Sequence, residues 1–209
     1  MRTRLRPGRF LVLALVVAFI GLLAYGLVSK AENNDVDRAL LQGLPAASPG
    51  LDLPLLPGFE PGALPSGAAA DGRLSLEELR GRPVVLNLWA SWCPPCRVEQ
   101  PLLADAARRG GRGGPVFVGL NMQDLTDDAR AYLAEFRVGY ATVRDPSDAT
   151  SRRWGATGLP ETFFLDARGL VVGHVVGAIS TAQLAAGVEA ARTGRVLGAR
   201  AGGERREVR

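Results

Sequence analysis

The chain has 209 residues, two cysteines, one histidine and a formal net charge of +4 at pH 7, enough for one domain of ordinary size plus extensions. The charge gives no support for nucleic-acid binding. Arg2, Arg4, Arg6 and Arg9 carry +4, the tail from Ala191 to Arg209 carries a further +4, and the residues between sum to −4.

The first element is an uncharged apolar run of 19 residues, Phe10 to Val28, close to the roughly 20 needed to span a bilayer. The arginines before it predict a cytoplasmic N-terminus and an extracytoplasmic remainder. Ser29-Lys30-Ala31 loosely resembles a signal cleavage site, but the run exceeds the roughly 7–15 residues of a signal-peptide core. The reading is therefore an uncleaved single-pass anchor over residues 10–28, with a basic N-terminus over 1–9. Residues 29–50, polar and then rich in Pro, Gly and Ala, read as a tether.

Residues 51–192 read as the folded domain. Leu51–Leu56 is an edge strand, and residues 62–72 are a small-residue loop. Ser75-Leu76-Glu77-Glu78 is a capping box opening a short helix. Val84–Trp89 is a buried strand. A helix follows over about residues 95–109, with a kink predicted at Pro101. Val116–Leu120 is a second strand, and Thr126 caps a helix running to Phe136. Ala141–Arg144 is a third strand, and Ser147 caps a short helix ending near Trp154. Asp166-Ala167-Arg168-Gly169 joins two strands as a hairpin. Ser180-Thr181-Ala182-Gln183 is a second capping box, opening a last helix to about Arg192. Strands alternating with helices and then a closing hairpin indicate an α/β domain with a mixed sheet. Residues 193–209 read as a solvated basic tail.

The two cysteines form Cys93-Pro94-Pro95-Cys96 at a strand-to-helix junction. A structural zinc site needs about four Cys or His ligands, and the chain has three such residues in all. Covalent haem attachment needs a His after the second Cys, where Arg97 stands. A purely structural bridge over so short a loop removes little chain entropy. Redox chemistry is the reading favoured over that inert bridge.

The segment Val84–Cys96 resembles the active-site segment of membrane-tethered thioredoxin-like proteins of the TlpA/ResA and DsbE (CcmG) groups. Gly158-Leu159-Pro160-Glu161-Thr162-Phe163 is similar to that family's cis-proline loop, with Pro-Glu-Thr as in the DsbE group. The strand-helix unit over 115–144 matches the family's insertion relative to plain thioredoxin. The resemblance implies a thioredoxin fold and an extracytoplasmic thiol:disulfide reductase that keeps the haem-site cysteines of apocytochrome c reduced. It implies a membrane electron donor of the CcdA/DsbD kind. No cofactor or metal is expected.

Within that resemblance, Cys93 is the exposed nucleophile and Cys96 resolves the mixed disulfide. A helix N-terminus favours a thiolate at Cys93. Glu99 is implied to assist proton transfer. Asn87 stands where thioredoxin has a buried acid, which leaves Glu99 as the proton-transfer candidate. Pro160 is the expected cis-proline, and the Leu159 backbone would pair with an extended substrate. Trp92 is read as a substrate-facing surface, and Glu161 as a substrate contact, the wall of an acidic groove, or an isolated surface residue that does neither. Trp89, Trp154 and His174 are read as structural. Two other functional classes stay open at this point: a dithiol oxidase or a general exported thiol exchanger, and a tethered binding module without catalysis.

Overall fold

The computed structural model describes residues 7–29, 35–58 and 64–201. The chain divides into two units, Met1–Glu32 and Asn33–Arg209. The first contains one helix, α1 (Pro7–Ser29). Its side chains are described at 13–23 and 25, and all of these are exposed. Among the described residues no helix is long and apolar enough to cross a membrane. The start of the basic N-terminus, residues 1–6, and the end of the tail, 202–209, lie outside the described residues.

The second unit opens with α2 (Asp35–Leu41), β1 (Ala46–Ala47), β2 (Asp52–Pro54), β3 (Arg73–Ser75) and a 3-10 turn, Leu76–Leu79. Then come β4 (Val84–Trp89), α3 (Pro94–Gly110), β5 (Val116–Met122), α4 (Thr126–Glu135) and β6 (Ala141–Asp145). The chain closes with α5 (Ala149–Arg153), β7 (Glu161–Leu165), β8 (Leu170–Val176), α6 (Thr181–Thr193) and β9 (Gly198–Ala201). The main sheet runs β1-β8-β7-β4-β5-β6, with β9 also paired to β8. β4, β5 and β6 are parallel, β7 runs against them, and β8, antiparallel to β7, runs with them again. This is the mixed sheet flanked by helices of a thioredoxin-like α/β fold. Every residue of β4 is buried, as a central strand covered by helices requires.

Three segments differ from the sequence reading. Residues 35–50 are folded rather than a tether. Val36 and Leu40, four apart and so on one helix face, are buried with Ala46 and Leu51 in the core cluster on one side of the sheet. Each buried Val or Leu contributes about 1.5–3 kcal/mol, enough to override a polar composition. Part of the basic tail is likewise a strand, since β9 lies parallel to β8 with His174 opposite Ala199. Third, Thr126 does not cap its helix, and Ser147 reaches only the first amide of its own, that of Ala149, at 3.4 Å. Thr126 is already helical. In α5 the Asp145 carboxylate takes the free amides of Thr150 and Ser151 at 2.8 and 3.0 Å.

The two capping boxes form as read, with Ser75 paired to Glu78 and Ser180 to Gln183. α3 runs unbroken through Pro101. Trp89 and Trp154 are core residues. Trp89 stacks on Tyr132 at 4.5 Å between ring centroids, and the Trp154 indole donates to the Gly50 carbonyl at 3.0 Å.

Candidate active site

The site forms where β4 ends and α3 begins. The chain leaves the buried strand at Trp89, turns through Ala90-Ser91-Trp92, and enters the helix with Cys93 as its N-cap and Pro94 and Pro95 in the first turn. Proline is tolerated there because the first helical amides have no partner within the helix. With those two donors removed, the amide of Cys96 is the one that reaches the Cys93 Sγ, at 3.2 Å. The two cysteines are joined in a disulfide. Cys93 is only 2% exposed, not the open nucleophile read from sequence. Its sulfur is tied to Cys96, and both pack into the core cluster beneath α3.

The peptide bond between Leu159 and Pro160 is cis. β7 begins at the next residue and pairs antiparallel with the end of β4, Glu161 opposite Leu88. That register carries the cis-proline loop to the same end of the sheet as the cysteines. Leu159 packs against the cluster that holds both sulfurs.

Glu99 is one turn of α3 beyond Cys96 and is 2% exposed. Its Oε1 accepts from Asn87 Nδ2 and its Oε2 from the Ile179 amide, both at 2.7 Å. Burial pushes its pKa up to about 7, against the smaller opposing effect of those two hydrogen bonds. A carboxyl that gains and loses its proton near neutrality suits proton exchange with thiols. Deeper under α3, Gln100 donates to the Tyr140 hydroxyl at 2.7 Å, and burial pushes that phenol above its ordinary range.

Trp92 is 57% exposed and is held by a hydrogen bond from Nε1 to the Gln123 carbonyl at 2.9 Å. Beside it, Asp124 accepts from the Ser91 amide at 2.6 Å and the Ser91 hydroxyl at 2.7 Å. Asn121 adds a third donor to that carboxylate at 2.9 Å. The loop after β5 thus braces the turn that presents the disulfide. Sequence reading assigned no role to Ser91, Asp124 or Ile179, because each acts through a contact remote in sequence.

Glu161 does not line an acidic groove. It is 0% exposed, and Oε1 accepts from Thr157 N at 2.7 Å, Thr157 Oγ1 at 2.9 Å and Gly158 N at 2.9 Å. The carboxylate turns inward because the loop before the cis bond has unpaired amides to satisfy. Its other oxygen meets His174 Nε2 at 2.9 Å. Among the described residues no group of three or more His, Cys, Asp or Glu side chains could hold a metal ion.

Comparison with known proteins agrees with this geometry. The AhpC/TSA family matches residues 59–174. The chain is 35% identical over 167 residues to the thiol:disulfide interchange protein DsbE of Xylella fastidiosa, covering 79% of this chain and 76% of that protein. It is 30% identical over 177 residues to the thiol:disulfide interchange protein HelX of Rhodobacter capsulatus, covering 84% and 89%. Among solved structures it is similar to a thiol:disulfide interchange protein of the thioredoxin family from Chlorobium tepidum. The TM-score there is 0.57 at 26% identity, over 70% of this chain and 96% of the other.

Proposed function

The chain belongs to the AhpC/TSA family of thioredoxin-like thiol:disulfide oxidoreductases, and on that premise we propose that it is a membrane-anchored extracytoplasmic reductase serving cytochrome c maturation. The observation that carries the chemistry is the buried Glu99, titrating near neutrality one helical turn beyond Cys96.

In the reducing direction the Cys93 thiolate attacks a sulfur of the substrate disulfide. One S–S bond forms, the substrate bond breaks, and the first substrate sulfur leaves as a thiolate. Cys96 then gives its proton to Glu99 and attacks the Cys93 sulfur. The second substrate thiolate is released, and the Cys93–Cys96 disulfide closes. Two electrons have passed from the protein dithiol to the substrate. Return to the dithiol takes two electrons from another dithiol, which on this reading is a membrane donor of the CcdA/DsbD kind. The cis Leu159–Pro160 loop offers the Leu159 backbone to an extended peptide, and Trp92 offers an apolar flank beside the sulfurs.

The substrate assignment, the haem-site cysteines of apocytochrome c, is supported by the likeness to DsbE proteins and by the Pro160-Glu161-Thr162 sequence. The anchor and its orientation rest on the sequence alone, on the run Phe10–Val28 and the four arginines before it, since no helix of the described residues is itself long and apolar enough to cross a membrane. On this reading everything after Lys30 lies in the periplasm or its equivalent.

The test is substrate trapping in the native host with Cys96→Ser, which stalls Cys93 in mixed disulfides. Apocytochrome c or a haem-ligation component as the predominant adduct is the expected result. A broad set of exported proteins without cytochrome enrichment would replace the dedicated reading with a general exchanger. A deletion strain with full holocytochrome c would also sink the dedicated role.

A further inference from the structure

His174 is the chain's one histidine, and the thiol chemistry above leaves it unused. It sits in the middle of β8, 1% exposed, with its ring stacked on Phe163 at 3.9 Å and 9° between planes. A position of this kind ordinarily holds an apolar residue, because burying two ring nitrogens is costly unless both find partners. Both do. Nδ1 lies 2.6 Å from Asp37 Oδ1, and Nε2 lies 2.9 Å from Glu161 Oε2. Carboxylates only accept, so a ring between two of them is best satisfied with both nitrogens protonated. Burial opposes that charge, but the two carboxylates together outweigh it and raise the His174 pKa above its ordinary value.

The partners of this ring lead to the active-site loop. Asp37 is on α2, and Arg38 beside it is paired with Asp35 at 3.0 Å. Glu161 and Phe163 are on β7, and β9 places Ala199 opposite His174. From His174 the contacts continue through Glu161 to Thr157 and Gly158, the two residues before the cis Leu159–Pro160 bond. Hydrogen bonds therefore run without a break from α2, through β8 and β7, into the loop beside the disulfide.

We propose that His174 and Asp37 are positioning residues which, acting through Glu161, hold the loop from Thr157 to Pro160 in the shape that receives an extended peptide next to Cys93. The segment just after the first unit is thereby coupled to substrate recognition. This rests on the thiol-exchange reading of Cys93 and Cys96, and not on which exported protein is the substrate. Loops are mobile by default. A loop that must form backbone hydrogen bonds with a partner gains affinity when its geometry is set in advance. Charge-assisted hydrogen bonds set geometry more firmly than neutral ones.

The test compares the full-length wild type with D37N, D37E and E161Q. Three quantities are read: the titration and tautomer of the sole histidine by NMR, KM and kcat for the reduction of insulin disulfides, and the rate with a small aromatic disulfide that has no peptide backbone. In D37N the His174 pKa falls and KM for insulin rises roughly tenfold, about what losing a hydrogen bond to a charged group costs. kcat and the rate with the small disulfide stay as in wild type. D37E restores KM, and E161Q raises it at least as far as D37N does. Thermal unfolding confirms that each variant is folded, and Asp37, partly exposed at its helix, is the mild substitution should E161Q not fold. An insulin KM unchanged in D37N, or an equal loss against both substrates, overturns the proposal. A wild type that reduces neither substrate would sink the thiol-exchange reading and this proposal with it, whereas an active wild type with an unresponsive D37N sinks the proposal alone.

Discussion

Asn87 on β4 donates through Nδ2 to the Glu99 carboxylate on α3 at 2.7 Å, and the same nitrogen reaches the Thr162 hydroxyl on β7 at 3.1 Å. An amide thus stands where a second acid would place two carboxylates in one dry site. It supports the charged form of Glu99 without competing for its proton. Asn87 Oδ1 is buried without a hydrogen-bond partner among the described residues. Rotation of the amide would offer that oxygen to a protonated Glu99, so both protonation states can be accommodated.

Replacing Glu99 with Gln should remove a pH dependence of both rate and stability. The folded pKa, about 7, lies above the ordinary 4.5. Below 4.5 the group is protonated in both states and favours neither. Between the two values unfolding releases a proton, so stability falls as pH rises, and the loss is complete above about 7. The linkage amounts to at most about 3 kcal/mol. Urea denaturation of the oxidised protein at pH 5 and pH 8 should show wild type weaker at pH 8 and the Gln variant losing less, since His174, whose pKa is also raised, keeps its own loss in the same direction. The rate of disulfide reduction should lose its inflection near neutrality in the same variant. An inflection that survives would remove Glu99 from the proton path.

Asn87→Ala takes away a hydrogen bond that lowers the Glu99 pKa, so Glu99 should titrate above about 7. The variant also leaves buried acceptors on Glu99 and Thr162 without their donor, at about 1–3 kcal/mol. Carbon-13 carboxyl titration of the oxidised protein reads the first effect and denaturation the second. An unmoved Glu99 titration would mean that desolvation and the Ile179 amide set its pKa without Asn87.

Leu40→Ala tests whether α2 is part of the folded unit. Leu40 is 2% exposed, and truncating a buried leucine costs about 2–5 kcal/mol. A fall of that size in unfolding free energy is expected. A change below a few tenths of a kcal/mol would restore the tether reading for this segment.

Gly187→Ala should destabilise by overpacking. A Cβ at position 187 would stand 2.2 Å from the Phe164 ring, a contact of α6 with β7 that cannot be relieved without moving one of them. Overpacking of this kind costs about 1–3 kcal/mol. Chemical denaturation with an unchanged m-value would register it, and an unaltered midpoint would show that α6 slides freely on the sheet.

What could be read along the chain was whatever depends on neighbours in sequence. The Cys93–Cys96 spacing, the prolines suited to a first helical turn, the capping boxes at Ser75 and Ser180, the buried run Val84–Trp89 and the hairpin over Asp166–Gly169 all follow from periodicity and local backbone chemistry. Those rules failed where burial outweighed composition, at α2 and β9, and where the Asp145 carboxylate, two residues before Ser147, took the amides of Thr150 and Ser151 at the start of α5.

The sequence by itself determined the α/β class, the dithiol and its place at a helix start, because each is set by residues within a few positions of one another. Only the tertiary structure decided the surroundings of that dithiol. Glu99 takes a hydrogen bond from Ile179, 80 residues away, and Asp37 meets His174 across 137. Glu161 turns inward for the same kind of reason, to complete a loop and a histidine that share no pattern with it. No spacing encodes such pairs. They exist because folding removes water from several polar groups at once, and each must then find its partner in whatever element the sheet has brought alongside.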